Sequence, residues 1–178
     1  MPGIVYIATS LDGFIARNDG GLDWLPSPDG DDDLGFGAFF GSIDALVMGR
    51  NTYDMILSFG SWAYGDTPVF VLSHRPIAQP EDPAARVEVI SGSPGQVVAE
   101  LSRRNLNNLY VDGGQTIQAF LRDGQIQRMI ITRIPVLLGE GISLFGALEQ
   151  DVTLKCVRVE LLGNRLEQAE YQVTSQPT

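Results

Sequence analysis

Apolar positions fall into short strand-type runs separated by stretches of helical spacing. Runs rich in Val, Ile and Leu recur at Gly3–Thr9, Ala45–Met48, Pro68–Leu72, Val87–Ile90, Leu109–Val111 and Gln127–Arg133, and they predict strands, most of them buried. Between them the spacing turns helical. Tyr53, Ile56 and Leu57 predict a helix to about Phe59, and Ser93-Pro94, with proline in the first turn, opens another to about Arg104. Shorter helices are expected over about Asp32–Phe40, carrying Leu34, Phe36, Phe39 and Phe40, and over about Thr116–Leu121. Val152–Leu162 and Leu166–Val173, parted by Gly163-Asn164-Arg165, predict a terminal antiparallel hairpin with Val157, Val159 and Leu161 on one face. Parallel βα units closed by such a hairpin imply an α/β fold with a mixed, mostly parallel sheet and helices on both sides. No internal repeat is visible, and residues 1–178 are expected to form a single domain.

Composition narrows the function. The apolar content of 44% suits a globular protein, and no apolar run is long enough to cross a bilayer as a helix. The N-terminal residues carry no signal-peptide pattern, so a cytoplasmic protein without a membrane partner is expected. The net charge of −10 argues against a nucleic-acid partner but leaves room for a phosphorylated small ligand, because a few arginines set the potential of one cleft. One cysteine (Cys156) and one histidine (His74) exclude an internal disulfide and a Cys/His zinc site, and no metal is expected.

The stretch Ala45-Leu46-Val47-Met48-Gly49-Arg50-Asn51-Thr52-Tyr53 reads as a strand running into a turn and a helix start. Backbone N–H groups and the positive helix dipole at such a place attract phosphate, and Arg50 adds a planar donor fork. The same stretch also reads as an ordinary helix start with a surface arginine. A second strand end delivers Ser73-His74-Arg75, and a third Asp112-Gly113-Gly114-Gln115-Thr116, where two glycines allow backbone to approach a ligand or simply make a tight turn. Trp24, beside the flexible loop Asn18–Gly21, is either a pocket wall or an anchor of that loop. Asp29, Asp31, Asp32 and Asp33 form an acidic approach to the next helix.

Together, Thr9-Ser10-Leu11-Asp12-Gly13-Phe14-Ile15-Ala16, Val47 to Tyr53, Val111-Asp112-Gly113-Gly114 and Ile134-Pro135-Val136-Leu137-Leu138-Gly139-Glu140-Gly141 resemble the dihydrofolate reductase-like superfamily. Within it the chain is most similar to stand-alone proteins related to the C-terminal reductase domain of riboflavin biosynthesis enzymes. The resemblance implies a dihydrofolate reductase-like three-layer fold and NADPH as hydride donor. It implies Ala8 and Ile15 beside the nicotinamide, Gly49, Arg50, Asn51 and Thr52 on the phosphates, and Arg50 at the 2′-phosphate. Ser73, His74 and Arg75 would lie near the adenosine end, and Gly113, Gly114, Gln115 and Thr116 would face the pyrophosphate.

The substrate pocket is expected to include Trp24, Asp33 and Tyr53. Asp33 falls at the interval before Met48 at which dihydrofolate reductases carry their substrate-binding carboxylate. A partly buried Asp33 is therefore expected to bind substrate or supply a proton, with Thr132 hydrogen-bonded to it, although it also reads as one more exposed aspartate. Phe14 stands where riboflavin-pathway reductases carry a lysine, and the substrate side is acidic, which points away from a phosphorylated substrate. The expected function is NADPH-dependent reduction of a C=N or C=O group in a small pterin- or aminouracil-like heterocycle. The alternatives are a non-catalytic nucleotide-binding or sensing protein and a purely structural subunit. A homodimer is expected, with the hairpin and Ile134–Leu138 available for a two-fold interface.

Overall fold

The computed structural model describes residues 3–26, 33, 35–163 and 165–174. Asp29, Asp31, Asp32 and Leu34 lie outside them, so the expected start of the first helix is not described.

The strand-type runs assemble as expected. One eight-stranded sheet has the order β5-β4-β3-β6-β1-β7-β10-β9. Its strands are β1 (Gly3–Ser10), β3 (Ala45–Gly49), β4 (Pro68–Leu72), β5 (Arg86–Ile90), β6 (Leu109–Asp112), β7 (Ile126–Ile134), β9 (Leu154–Leu162) and β10 (Leu166–Val173). β5, β4, β3, β6, β1 and β7 run parallel, while β10 is antiparallel to β7 and to β9. β9 and β10 are the expected terminal hairpin.

Two apolar cores flank the sheet. One contains Val5, Val47, Val111 and Ile131 together with Val97 and Leu101 of α3 (Pro94–Arg103) and Ile117 and Phe120 of α4 (Gly114–Arg122). The other contains Ile4, Met48, Tyr110 and Ile130 with Phe39 of α1 (Phe36–Phe40) and Tyr53 and Ile56 of α2 (Arg50–Ser58). Alternate residues of each strand face opposite cores, and this period of two explains why the central strands read as continuous apolar runs.

Four features differ from the sequence expectation. The described part of the first helix is only Phe36–Phe40, and α4 begins at Gly114, two residues before the predicted start. A small second sheet pairs β2 (Phe14–Ala16) with β8 (Ile142–Ser143), a strand too short to show any apolar period. The loop expected to be flexible is a hydrogen-bonded turn: Arg17 N–H donates to Gly21 C=O at 3.0 Å, and Arg17 pairs with Asp23 at 2.6 Å.

The path of the chain fixes where a ligand can sit. From β3 the chain passes through α2, on one face, to β4. From the adjacent β6 it passes through α4, on the other face, to β7 on the far side of β1. The connections leave this strand pair in opposite directions, which opens a crevice at its carboxyl ends. Such a topological switch point is where open α/β sheets bind ligands.

Candidate active site

Gly49 ends β3 and Gly113 directly follows β6 at the switch point, and the first turns of α2 and α4 close on each other there. A Cβ on Gly49 would stand 2.9 Å from Thr116 Oγ1, and one on Gly113 would stand 2.5 Å from Thr52 Oγ1. Gly113 also has φ +96°, a conformation other residues rarely adopt. Each glycine thus leaves room for a threonine hydroxyl of the opposite helix.

Neither α2 nor α4 has a side-chain N-cap or an acidic residue in its first turn. The first N–H groups of a helix have no partner inside the helix, so two positive helix ends lie side by side with donors free of capping side chains. Of the residues expected on the phosphates, Gly49, Arg50 and Thr52 are partly exposed at this seam, Asn51 and Gln115 are exposed, and Thr116 is buried. Arg50 donates to Asp54 at 3.1 Å and to the Pro76 carbonyl at 3.2 Å, which ties the start of α2 to the segment after β4.

That segment carries Ser73, His74 and Arg75. Ser73 Oγ accepts from Arg75 N–H at 3.1 Å and donates to Arg75 C=O at 2.8 Å, closing a tight turn. Ser73 and His74 line a cleft of about 170 Å³ with Leu72, Ile90, Gly92 and Phe120. A larger cleft of about 290 Å³, lined by Ile4, Ser42, Asn108, Arg128 and Glu170, contains none of the predicted site residues.

Nearer β1, Ile15 reaches the start of α4: its Cδ1 lies 2.9 Å from where a Cβ on Gly114 would stand, with Ile142 beside it. Ala8 is partly exposed on β1, opposite Thr132 of β7. The loop after β1 is pinned by Asp12, whose carboxylate accepts from Ser10 Oγ and from the N–H groups of Leu138 and Gly139. The Ser10 bond first, then the Gly139 and Leu138 bonds, hold that carboxyl below its ordinary pKa.

On the α1 and α2 face the rings of Tyr6, Phe36, Phe40, Tyr64 and Trp62 form a continuous chain, with successive centroids 5.7, 5.6, 5.9 and 5.2 Å apart. All five are half-buried. Asp112 lies on this face, opposite Met48 in register, and its one described hydrogen bond is accepted from Gly113 N–H at 2.8 Å. Burial pushes the Asp112 carboxyl above its usual pKa. Burial also raises the Tyr64 phenol, with the Asp112 charge adding to the effect. A carboxyl biased toward its protonated form, next to a wall of flat rings at a strand end, can hydrogen-bond a heterocycle and release a proton to it.

The model of the RibD C-terminal domain matches residues 3–167. The chain is a member of the RibD C-terminal domain family. Over 92% of its length it is 31% identical to YwjB of Bacillus subtilis (strain 168), a protein described as uncharacterized, and it covers 94% of that protein. A crystal structure from Shewanella sp. PV-4, named for riboflavin biosynthesis, superposes with TM-score 0.89 at 44% identity, covering 98% of this chain and 100% of that one. Dihydrofolate reductase from Enterococcus faecalis, solved in complex with NADP(H), superposes with TM-score 0.68 at 18% identity over 98% of this chain and 97% of that one, and so shares the fold.

Within this RibD-type domain, three expected substrate-side residues sit differently from the sequence reading. Tyr53 lines neither of the two clefts described above. It is fully buried, donates its hydroxyl to the Ala78 carbonyl at 2.6 Å and packs edge-on against Trp62, because its helical position faces the core. Asp33 is exposed rather than partly buried, and its oxygens accept from Gly35 and Gly37 N–H at 2.9 and 2.7 Å, satisfying the start of α1. Thr132 is buried but bonds to Gln168 and not to Asp33. Gln168 Nε2 donates to Thr132 Oγ1 at 2.9 Å and to the Tyr6 hydroxyl at 3.2 Å. Trp24 is half-buried, with its indole N–H unpartnered among the described residues. Asp112 has no assigned role among the expected site residues. Its signal was the break from Val111 to a carboxylate just before two glycines.

Proposed function

We propose that this RibD-type domain is an NADPH-dependent reductase acting on a C=N or C=O group of a small, flat heterocycle of pterin or aminouracil type. The observation that carries the reading is the pair of helix N-termini without side-chain caps, meeting across Gly49 and Gly113 at the switch point. Their N–H groups, with Arg50, Asn51, Thr52, Gln115 and Thr116, suit a pyrophosphate, and Gly113 and Gly114 keep the approach open. Arg50 is fitted to a 2′-phosphate by its fork of donors and its position beside the Ser73–Pro76 turn. The cleft at Ser73 and His74 suits the adenosine end, with Arg75 at its rim. NADP(H) bound to the Enterococcus enzyme of the same fold supports the choice of cofactor. When bound, NADPH supplies the hydride.

The residues of the chain do the rest. Ala8 and Ile15 flank the position of the nicotinamide, with Trp24 as a further wall. The aromatic chain from Tyr6 to Trp62 stacks a planar acceptor and keeps water from it. Asp112, its carboxyl pushed above the usual range by burial, would supply a proton to that acceptor. Thr132, Gln168 and Tyr6 orient the acceptor's polar edge, and Asp33 fixes the α1 wall.

The test is titration with NADPH and NADH, followed by NADPH oxidation over a panel of pterins, aminouracils, quinones and carbonyl compounds. Binding of NADPH well ahead of NADH and turnover of at least one panel member are expected. A dissociation constant above about 1 mM, the upper range for enzyme ligands, sinks the reading. Asp112→Asn should bind NADPH as the wild type does while kcat falls by roughly a hundredfold, the scale of general acid catalysis. NADPH binding without oxidation of any compound would favour a nucleotide sensor instead.

A further inference from the structure

The turn between β1 and β2 and the segment that follows β7 meet beside the start of α4. Two backbone bonds draw them together: Leu11 N–H donates to the Val136 carbonyl at 2.9 Å, and Leu144 N–H donates to the Gly13 carbonyl at 3.0 Å. Between these ties lies Asp12. Its Oδ1 accepts from Leu138 N–H at 3.1 Å and its Oδ2 from Gly139 N–H at 2.8 Å. In residues 137–140 the described hydrogen bonds to the turn all end on this carboxylate. The same carboxylate reaches back into β2. Ser10 Oγ donates to Asp12 Oδ1 at 2.6 Å and accepts from Phe14 N–H at 2.9 Å. A line of hydrogen bonds thus runs from the segment after β7, through Asp12 and the fully buried Ser10, to the first residue of β2.

We propose that Asp12 is a positioning residue for the nicotinamide end of the cofactor, acting through Ile15. This rests on the nicotinamide position proposed above. Ile15 lies between Phe14 and Ala16, and its Cδ1 reaches the start of α4 at Gly114. Asp12 holds it from both sides. One route runs through Ser10 to Phe14 N–H. The other runs through Leu138 and Gly139 to Gly141, which is packed so closely on β2 that a Cβ there would strike the Ala16 carbonyl oxygen and come within 3.3 Å of the Phe14 side chain. Hydrogen bonds to a charged acceptor are the strong ones, and a site wall fixed in advance lowers the ordering cost of binding. The phosphate and adenosine contacts fall instead on α2, α4 and the Ser73–Pro76 turn, which none of the Asp12 bonds reaches. The effect of Asp12 is therefore confined to the nicotinamide end.

The test is calorimetry on the full chain with NADPH and with adenosine 2′,5′-bisphosphate, which carries the adenosine and the 2′-phosphate but no nicotinamide. Asp12→Asn turns one acceptor into a donor facing N–H groups. It should raise the NADPH dissociation constant roughly tenfold, the weight of one hydrogen bond to a charged group. Its affinity for the bisphosphate should stay within about twofold of the wild type's. Asp12 is exposed, so circular dichroism should be unchanged. Ser10→Ala cuts only the link to Phe14 and should weaken NADPH about threefold, again without moving the bisphosphate. An Asp12→Asn variant that binds NADPH as the wild type does overturns the inference. So does one that loses both ligands equally, the mark of a loop that serves stability alone. Wild-type NADPH affinity in Ser10→Ala overturns the line of hydrogen bonds to β2. A wild type that binds neither ligand sinks the cofactor reading and this inference with it, whereas the other failures leave that reading standing.

Discussion

The N-terminus of α3 and those of α2 and α4 solve the same problem in opposite ways. At α3, Ser93 Oγ accepts from Gln96 N–H and Gln96 Oε1 accepts from Ser93 N–H, a complete capping box with Pro94 in the first turn. α2 and α4 begin at glycines and have no side-chain cap, although an uncapped start forgoes about 1 kcal/mol. α3 starts at the rim of the cleft at Ser73 and His74, which its first residue Pro94 lines, and its own chain satisfies its first N–H groups. At the switch point the first N–H groups of both helices have no side-chain cap, which is what the proposed cofactor site requires. The difference separates a helix start satisfied by its own chain from two whose first N–H groups have no side-chain cap.

Gly113→Ala should break the contrast most strongly. A β-carbon there meets Thr52 Oγ1 in a backbone conformation that disfavours it. Urea unfolding should show a loss of about 2 kcal/mol or more, with NADPH binding abolished in calorimetry. Arg50→Gln should separate binding from stability. Losing charge-assisted bonds of about 1.5–3 kcal/mol should raise the NADPH dissociation constant roughly 10- to 100-fold and leave NADH unaffected. Because the Arg50–Asp54 pair is exposed, stability should change by less than about 1 kcal/mol.

Ser93→Ala sharpens the comparison from the other side. It should cost about 1 kcal/mol of stability in the same unfolding assay and change NADPH affinity far less than Arg50→Gln does. The smallest effect concerns Asp112, whose folded pKa is raised, so ionising it disfavours the folded state. The wild type should therefore lose stability as pH climbs from the ordinary carboxyl value through the folded one. Asp112→Asn removes that dependence, and its melting temperature should exceed the wild type's at neutral pH, with the advantage vanishing below about pH 4.

What was legible in the sequence follows from the range of the interaction concerned. Pro68–Leu72 matches β4 residue for residue, and Ser93-Pro94 gave the start of α3, because buried strands and capped helices are written in adjacent residues. The strand ends at Gly49 and Gly113 were legible for the same reason. β8 was not, since Ile142–Ser143 is a strand only by pairing with Phe14–Ala16. Nor was the true partner of Thr132, because Gln168 is far along the chain and only the hairpin return brings it across. Tyr53 misled because a phenol carries a polar atom but is buried here for its ring. Asp33 is exposed at the start of α1 although a run of aspartates is conspicuous, whereas the burial that raises the Asp112 pKa is a property of the packed sheet.

Ile15, Gly114 and Ile142 converge at the start of α4 although about a hundred residues separate the first from the second. No partially assembled chain holds that junction. A stretch of polypeptide emerging during synthesis has no completed seam until β8 has come back to β2. Any molecule that fits the seam therefore discriminates between finished and unfinished copies, and its presence draws the folding equilibrium toward the finished one by mass action.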